Sequence, residues 1–220
     1  LLQDFAKNIR QNQGVIKTKA KAKTIERNAK LWQVITDVGA FNGKVLINAA
    51  GPWVDNIAAM AEVAPLNFTA MRRSIARVPA PNSDTGNFPM AHGAGDRWYA
   101  KPDAGAWLIS PCEEEPMPPH DAYADDMVLA EGIDRYNEMV DHEITRMQTN
   151  WAGLRTFAPD RALVIGFDKS IENFFWFAGQ GGYGFQTAPA ASQLASELIL
   201  NKSISFSSNL VKGLSPNRFC

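Results

Sequence analysis

Cysteine is nearly missing from this chain of 220 residues, which has only Cys112 and Cys220. Two separated thiols, one of them the last residue, make neither a disulfide framework nor a CxxC metal pair, and they point to a reducing, cytoplasmic setting. Histidine is almost as sparse. His92, His120 and His142 show no HxH or HxxxH spacing, which argues against a metal site. Neither sign of charge dominates: 22 basic and 23 acidic residues leave a formal net charge of −1, so nothing electrostatic suggests nucleic acid or an anionic membrane as partner. No apolar run approaches the ~20 residues that span a bilayer, and no basic-then-apolar signal pattern opens the chain. P-loop, G-x-S-x-G and Ser-His-Asp arrangements are also lacking. With 45% hydrophobic residues the chain has the material for a packed core, and a small molecule is the default partner.

Hydrophobic spacing organises what is present. Leu2, Phe5, Ala6 and Ile9 predict an amphipathic helix over residues 1–13, closed by Gly14. Short β-branched runs predict strands at 15–18, 22–27, 31–36 and 44–48, the last with an apolar Val45-Leu46-Ile47 run that suggests burial on both faces in a parallel sheet. Pro52 opens a helix to about residue 63. A long strand is expected at 67–78, a Pro/Gly/Asn-rich loop at 79–95, hairpin strands at 98–101 and 106–110, and a long helix at 124–147. Strands at 151–157, 163–167 and 174–178 precede a Gly-rich turn and a final helix at 188–200. The fold class is α/β or α+β, with an inserted middle region. The boundaries expected are 1–65, 66–157, 158–205 and a tail at 206–220. Because the chain starts on Leu1-Leu2, in what reads as the middle of a helix and without an initiator Met, an upstream segment is expected.

The turn Gly179-Gln180-Gly181-Gly182-Tyr183-Gly184 carries the chemistry. Its glycines permit positive φ and close approach of the backbone to a ligand, and Thr187 as cap with Pro189 in the first helical turn would aim free N–H groups at an electron-rich group. A tight strand-to-helix turn that simply needs glycine is the other reading. No acidic residue stands ~20 positions downstream at the end of a second strand, as a dinucleotide fingerprint requires, so a main pyrophosphate site is excluded here. Arg155, in a strand of small and apolar residues, is suited to grip a carboxylate with its planar fork; an ion pair with Asp160 or Asp168 is the alternative. Glu113-Glu114-Glu115 reads as a solvated loop and His92 as a surface residue that could line the long loop's inner side.

Four segments then resemble, in order and spacing, the D-amino-acid dehydrogenase and glycine oxidase branch of the FAD-linked amine oxidoreductases, and within it the bacterial D-arginine dehydrogenase type. They are Asn48-Ala49-Ala50-Gly51-Pro52-Trp53, Tyr99-Ala100-Lys101-Pro102-Asp103-Ala104-Gly105, Trp151-Ala152-Gly153-Leu154-Arg155-Thr156-Phe157-Ala158-Pro159-Asp160, and Phe175-Trp176-Phe177-Ala178-Gly179-Gln180-Gly181-Gly182-Tyr183-Gly184-Phe185-Gln186-Thr187.

The resemblance implies an FAD-linked amine oxidoreductase fold: part of an FAD-binding domain with an inserted substrate domain of mixed or antiparallel sheet. The missing upstream stretch would carry the GxGxxG for the ADP half of FAD. Arg155 and Tyr99 would hold the substrate carboxylate, and one of Arg72 and Arg73 would approach the substrate, with the lean to Arg72. Gly182 and Gln186 would lie near both flavin and substrate. Val15, Gly51, Gly181, Tyr183, Gly184 and Thr187 complete the implied cofactor contacts. Sarcosine-type members tether flavin to a Cys near the Arg155 region, where this chain reads Gly153-Leu154-Arg155, so FAD is expected to be noncovalent. The implied reaction is hydride transfer from the Cα of a D-amino acid to flavin N5, giving an imino acid and then a 2-oxo acid and ammonia. A quinone, a dye or O₂ would accept the electrons. A glycine or sarcosine oxidase acting on a small amine, and a non-catalytic piece that needs its N-terminal part, remain alternatives.

Overall fold

A computed structural model describes residues 1–28, 30–81 and 85–219. Cys220 therefore lies outside the described residues, while Cys112 is a free thiol. In chain order the elements are α1 (Leu2–Gln11), β1 (Ala22–Asn28), β2 (Leu31–Thr36), β3 (Gly39–Gly43), β4 (Leu46–Asn48), α2 (Val54–Met60), β5 (Thr69–Pro79), β6 (Ala91–His92), β7 (Tyr99–Asp103), β8 (Ala106–Ser110), β9 (Glu115–Pro116), α3 (Asp126–Asn137), β10 (Thr149–Phe157), β11 (Val164–Phe167), β12 (Phe174–Ala178), α4 (Gly184–Ile199) and α5 (Ser208–Leu214). The α/β class and the mixed and antiparallel sheets expected from the sequence are those observed.

Three sheets organise the chain. The first is the antiparallel meander β1-β2-β3. The second, β11-β12-β4, pairs β12 parallel to β4 and is covered on both faces. Period-2 alternation in β12 explains the cover: Phe174, Trp176 and Ala178 pack with α2 and the meander, and Phe175 packs with Ala191, Leu194 and Ala195 of α4. Trp32 fastens the meander there by donating its indole N–H to the Asn173 carbonyl at 3.0 Å. The third sheet runs β10-β5-β8-β7-β6, with β9 also on β5, and all its pairs are antiparallel. One face is sealed by α3, where Ala76, Val78, Ala100 and Ile109 meet Leu129, Ile133 and Tyr136. The opposite face is left for function.

Several elements differ from expectation. Residues 15–18 form no strand, and Val15 is 72% exposed. The β4 strand is parallel as read, but it is an edge of its sheet, with Leu46 half-buried and Ile47 48% exposed. The helix expected at 124–147 stops at Asn137, whose side chain bonds both the N–H and the carbonyl of Ile144 and so turns the chain back. The last helix begins at Gly184 rather than at residue 188. Residues 206–220, read as a tail, contain α5 and a 3-10 turn at Pro216–Phe219. Arg218 holds that turn to Asp160 at 2.6 and 2.9 Å.

Candidate functional site

Strand alternation decides which side chains reach the open face of the third sheet. In β5, residues 70, 72, 74, 76 and 78 are buried and the alternate residues only half so. Arg72 points to the covered side and is taken by Glu115 at 2.5 Å, with Asp125 at 3.9 Å. Arg73 faces the other way. On that face the register sets Gly153 of β10 opposite Arg73 and Arg155 opposite Met71, so the missing side chain of Gly153 leaves room between the two arginines. Across the sheet, Tyr99 lies on the same face of β7 as Lys101, opposite Ser110 and Leu108 of β8. The lean towards Arg72 is thereby corrected: the arginine brought to Arg155 is Arg73.

A cavity of about 820 Å³ opens over this face, lined by Arg73, Tyr99, Arg155, Phe157, Gly182 and Gln186 among others. The glycine loop forms its far wall. Gly181 donates its N–H to the Thr156 carbonyl at 2.9 Å, which ties the loop to β10 beside Arg155. Its φ of +52° and the 2.5 Å between an added Cβ and the Phe157 ring both demand glycine. A Cβ on Gly182 would stand 2.8 Å from Arg155 Nη1. The loop and the arginine are therefore in contact, and a side chain at Gly182 would have to push the guanidinium aside.

Arg155 has no carboxylate within 4 Å among the described residues. Asp160 is engaged by Arg218, and Asp168 accepts the Trp176 indole N–H at 3.0 Å and backbone N–H groups of Ser170 and Ile171. The ion-pair reading of Arg155 is thus removed. Burial, then the charge of Arg73, lowers the pKa of Arg155 from its ordinary value. Even so lowered, a guanidinium stays charged. A half-buried guanidinium without a counter-ion is an incomplete arrangement that an anionic ligand completes.

The three glutamates read as a solvated loop are not free. Glu113 accepts the Ser74 N–H at 2.5 Å, Glu114 binds Arg161 at 2.8 and 2.9 Å and Arg73 at 3.2 Å, and Glu115 holds Arg72. Glu115 thus pairs with Arg72 and Glu114 is shared between Arg73 and Arg161, whereas Arg155 makes no ion pair within 4 Å among the described residues and feels Glu114 only at longer range. Arg161 further lies over the Phe157 ring at 4.0 Å. Lys101, Cys112, Glu114 and Arg161 line the cavity without having been read as site residues, and the alternation of β7 about Tyr99 was the available signal for Lys101. His92 does line it, with its ring 5.7 Å from that of Tyr99.

At the start of α4 no side chain caps the helix. Thr187 is four residues inside and its hydroxyl donates to the Tyr183 carbonyl at 2.8 Å, so it is not the cap, and Pro189 sits within the helix rather than in its first turn. The first-turn N–H groups of Gly184, Phe185 and Gln186 are left without intrahelical partners. Gly184 and Thr187 face a second cavity, of about 980 Å³, walled by Phe5 and Ile9 of α1, Ala49 after β4, and Ala191 and Leu200 at α4. Gly51, with φ +56°, turns the chain after β4. Val15 lines neither cavity. Among the described residues no group of three or more His, Cys, Asp or Glu is placed to hold a metal ion, and no helix is long and apolar enough to cross a membrane.

Comparison with known proteins places these features among relatives. The sequence profile of the family described as FAD dependent oxidoreductase (DAO) matches residues 1–198. The FAD-dependent oxidoreductase domain-containing protein 1 of Xenopus laevis is 24% identical, over 71% of this chain and 35% of its own length. Among solved structures, L-proline dehydrogenase from P. horikoshii superposes with a TM-score of 0.83 at 21% identity, over 99% of this chain and 58% of that one. Glycine oxidase from Geobacillus kaustophilus gives 0.77 at 17% identity, over 93% and 54%. The chain thus spans about a third of the curated relative (35%) and a little over half of each solved structure (58% and 54%).

Proposed function

Because this chain belongs to the FAD-dependent oxidoreductase (DAO) family, whose cofactor is FAD, we propose that it is the substrate-binding part of an enzyme that oxidatively deaminates a D-amino acid. The product is an imino acid, which water converts to a 2-oxo acid and ammonia. The observation that carries this reading is Arg155, without an ion-pair partner among the described residues, in a cavity beside Tyr99 and the glycine loop. Glycine and proline, named in the relatives, both carry an amine α to a carboxylate. The motif resemblance to the D-amino-acid dehydrogenase branch supports the D configuration.

The residues present fit a noncovalent flavin. Glycines at 181 and 182 keep side chains out of the cradle, and the uncapped first turn of α4 offers N–H groups to an electron-rich edge. Gly181, Gly182, Tyr183, Gly184, Gln186 and Thr187 would hold that edge, with Gly51 at the neighbouring turn. When bound, FAD supplies the two-electron acceptor for the Cα–H bond. Arg155 fixes the carboxylate bidentately, and the Tyr99 hydroxyl adds a third contact, so that the Cα–H has one orientation. Phe157 and the Gly181 backbone exclude water from one side. With the substrate bound as its neutral amine, the proton having been lost to water, the amine lone pair drives the departure of hydride, so no strong protein base is needed at that step.

The ADP half of FAD would be held by a nucleotide-binding segment outside these residues. The open edge of β4 and the apolar wall of α1, which has no buried residue, are the surfaces such a segment would cover. On this reading 1–65 and 158–205 serve the cofactor, 66–157 serves the substrate, 206–220 closes the chain, and the enzyme works in the cytoplasm with a quinone, dye or O₂ as electron acceptor. The test is a panel of D- and L-amino acids, glycine and sarcosine offered to the full FAD-loaded enzyme, read by dye reduction and by oxygen uptake. Preferential dye reduction by D-amino acids is expected; turnover confined to L-amino acids or to glycine would reject the assignment.

A further inference from the structure

The cavity over the third sheet holds a second cation that nothing in the mechanism uses. Four full cations line it: Arg73, Lys101, Arg155 and Arg161. Glu114 is shared between Arg73 and Arg161, which leaves Arg155 and Lys101 without a carboxylate within 4 Å among the described residues. The other acid at the wall, Asp96, stands at the rim, 90% exposed and 3.8 Å from His92. Lys101 is half-buried and shares the Tyr99 face of β7, two residues further along a strand of roughly 3.4 Å per residue. The Cα of Lys101 therefore stands roughly 7 Å along the strand from that of Tyr99, the residue given the third contact to the α-carboxylate, and both side chains line the same cavity.

We propose that the substrate carries an acidic side chain, and that Lys101 is the residue that selects it by binding the second carboxylate. The inference rests on the amino-acid reading of Arg155 given above and adds the side-chain class to it. A cationic side chain would meet Lys101 as a like charge and a neutral one would leave it unpartnered, so selection has both an attractive and a repulsive element. The long, flexible stem of lysine suits a single point contact, while the fork of Arg155 suits the fixed end of the substrate.

The experiment compares aspartate and glutamate with asparagine and glutamine, in both configurations, on the full FAD-loaded enzyme and on Lys101→Met and Lys101→Arg variants whose flavin absorbance and thermal unfolding match the parent. The acid should exceed its isosteric amide in kcat/KM by at least about tenfold, the change expected from one charge-assisted hydrogen bond. In Lys101→Met the ratio should collapse to within about threefold, mostly through KM, and Lys101→Arg should restore it. Should Lys101→Met fail to fold, the parent ratio and the Lys101→Arg variant decide. Amides used as well as acids, arginine or lysine preferred, or equal losses for acid and amide in Lys101→Met would each overturn the proposal while leaving oxidative deamination intact. No turnover of any amino acid would overturn both.

Discussion

At the residue scale, Arg155 and Gly182 act as one unit. A methyl group at Gly182 would lie 2.8 Å from the guanidinium, so Gly182→Ala must displace either the loop or the arginine. A misplacement of about an ångström at a positioning group costs on the order of 100-fold in rate. Steady-state kinetics of Gly182→Ala should therefore show such a loss in kcat/KM; near-parent values would mean the loop does not depend on Arg155. The motif around Arg155 was legible because a lone guanidinium among small residues is conspicuous. The choice between Arg72 and Arg73 was not. Adjacent strand residues face opposite ways, and only the packing of α3 on one side, far along the chain, decides which face is free. The partners of the three glutamates were hidden for the same reason, since Arg72, Arg73 and Ser74 are reached through sheet pairing and not through sequence proximity.

At the element scale, α4 was expected from residue 188 with Thr187 as its cap and is found from Gly184, because the loop is already helical by the time it leaves the cavity. Thr187 gives its hydroxyl to a carbonyl one turn back, an interaction with little net value in a helix. Thr187→Val should shift unfolding free energy by less than about 0.5 kcal/mol. Loss of a capping threonine would instead cost about 1 kcal/mol, and chemical denaturation distinguishes the two. The C-terminal 3-10 turn gives a pH prediction. The Arg218 hydrogen bonds hold the Asp160 carboxyl below its ordinary pKa. Its stabilising contribution is complete above the unfolded-state value near 3.9 and is lost as pH falls through the lower folded-state value. Stability measured from neutral to strongly acid pH should fall less steeply at the acid end for Arg218→Met than for the parent. Most strands were readable from short β-branched runs bounded by turn residues, but β3, β6 and β9 were not, and residues 15–18 form no strand. The short extent of α3 was not, since the Asn137–Ile144 bonds that end it involve a side chain closing a loop.

At the scale of the whole molecule, two layers meet at one loop. The sheet β11-β12-β4 is driven by aromatic burial, with Phe174, Phe175 and Trp176 fully enclosed, each worth about 2 kcal/mol in area removed from water. The third sheet presents its open face at right distance for the glycine loop because Gly181 is bonded to β10. The α/β class and the order of motifs followed from local patterns. The edge position of β4 did not, since an apolar triplet reads the same whether or not a neighbour covers it. The account depends above all on Arg155 as the carboxylate anchor. The most direct measurement is kcat/KM of the full FAD-loaded enzyme and of Arg155→Met for an amino acid and for the corresponding amine without the carboxylate. The parent should prefer the amino acid, and Arg155→Met should lose on the order of 10–100-fold on it, mostly through KM, while the preference over the amine disappears. An Arg155→Met enzyme that keeps both its kcat/KM and its preference for the carboxylate would contradict the account.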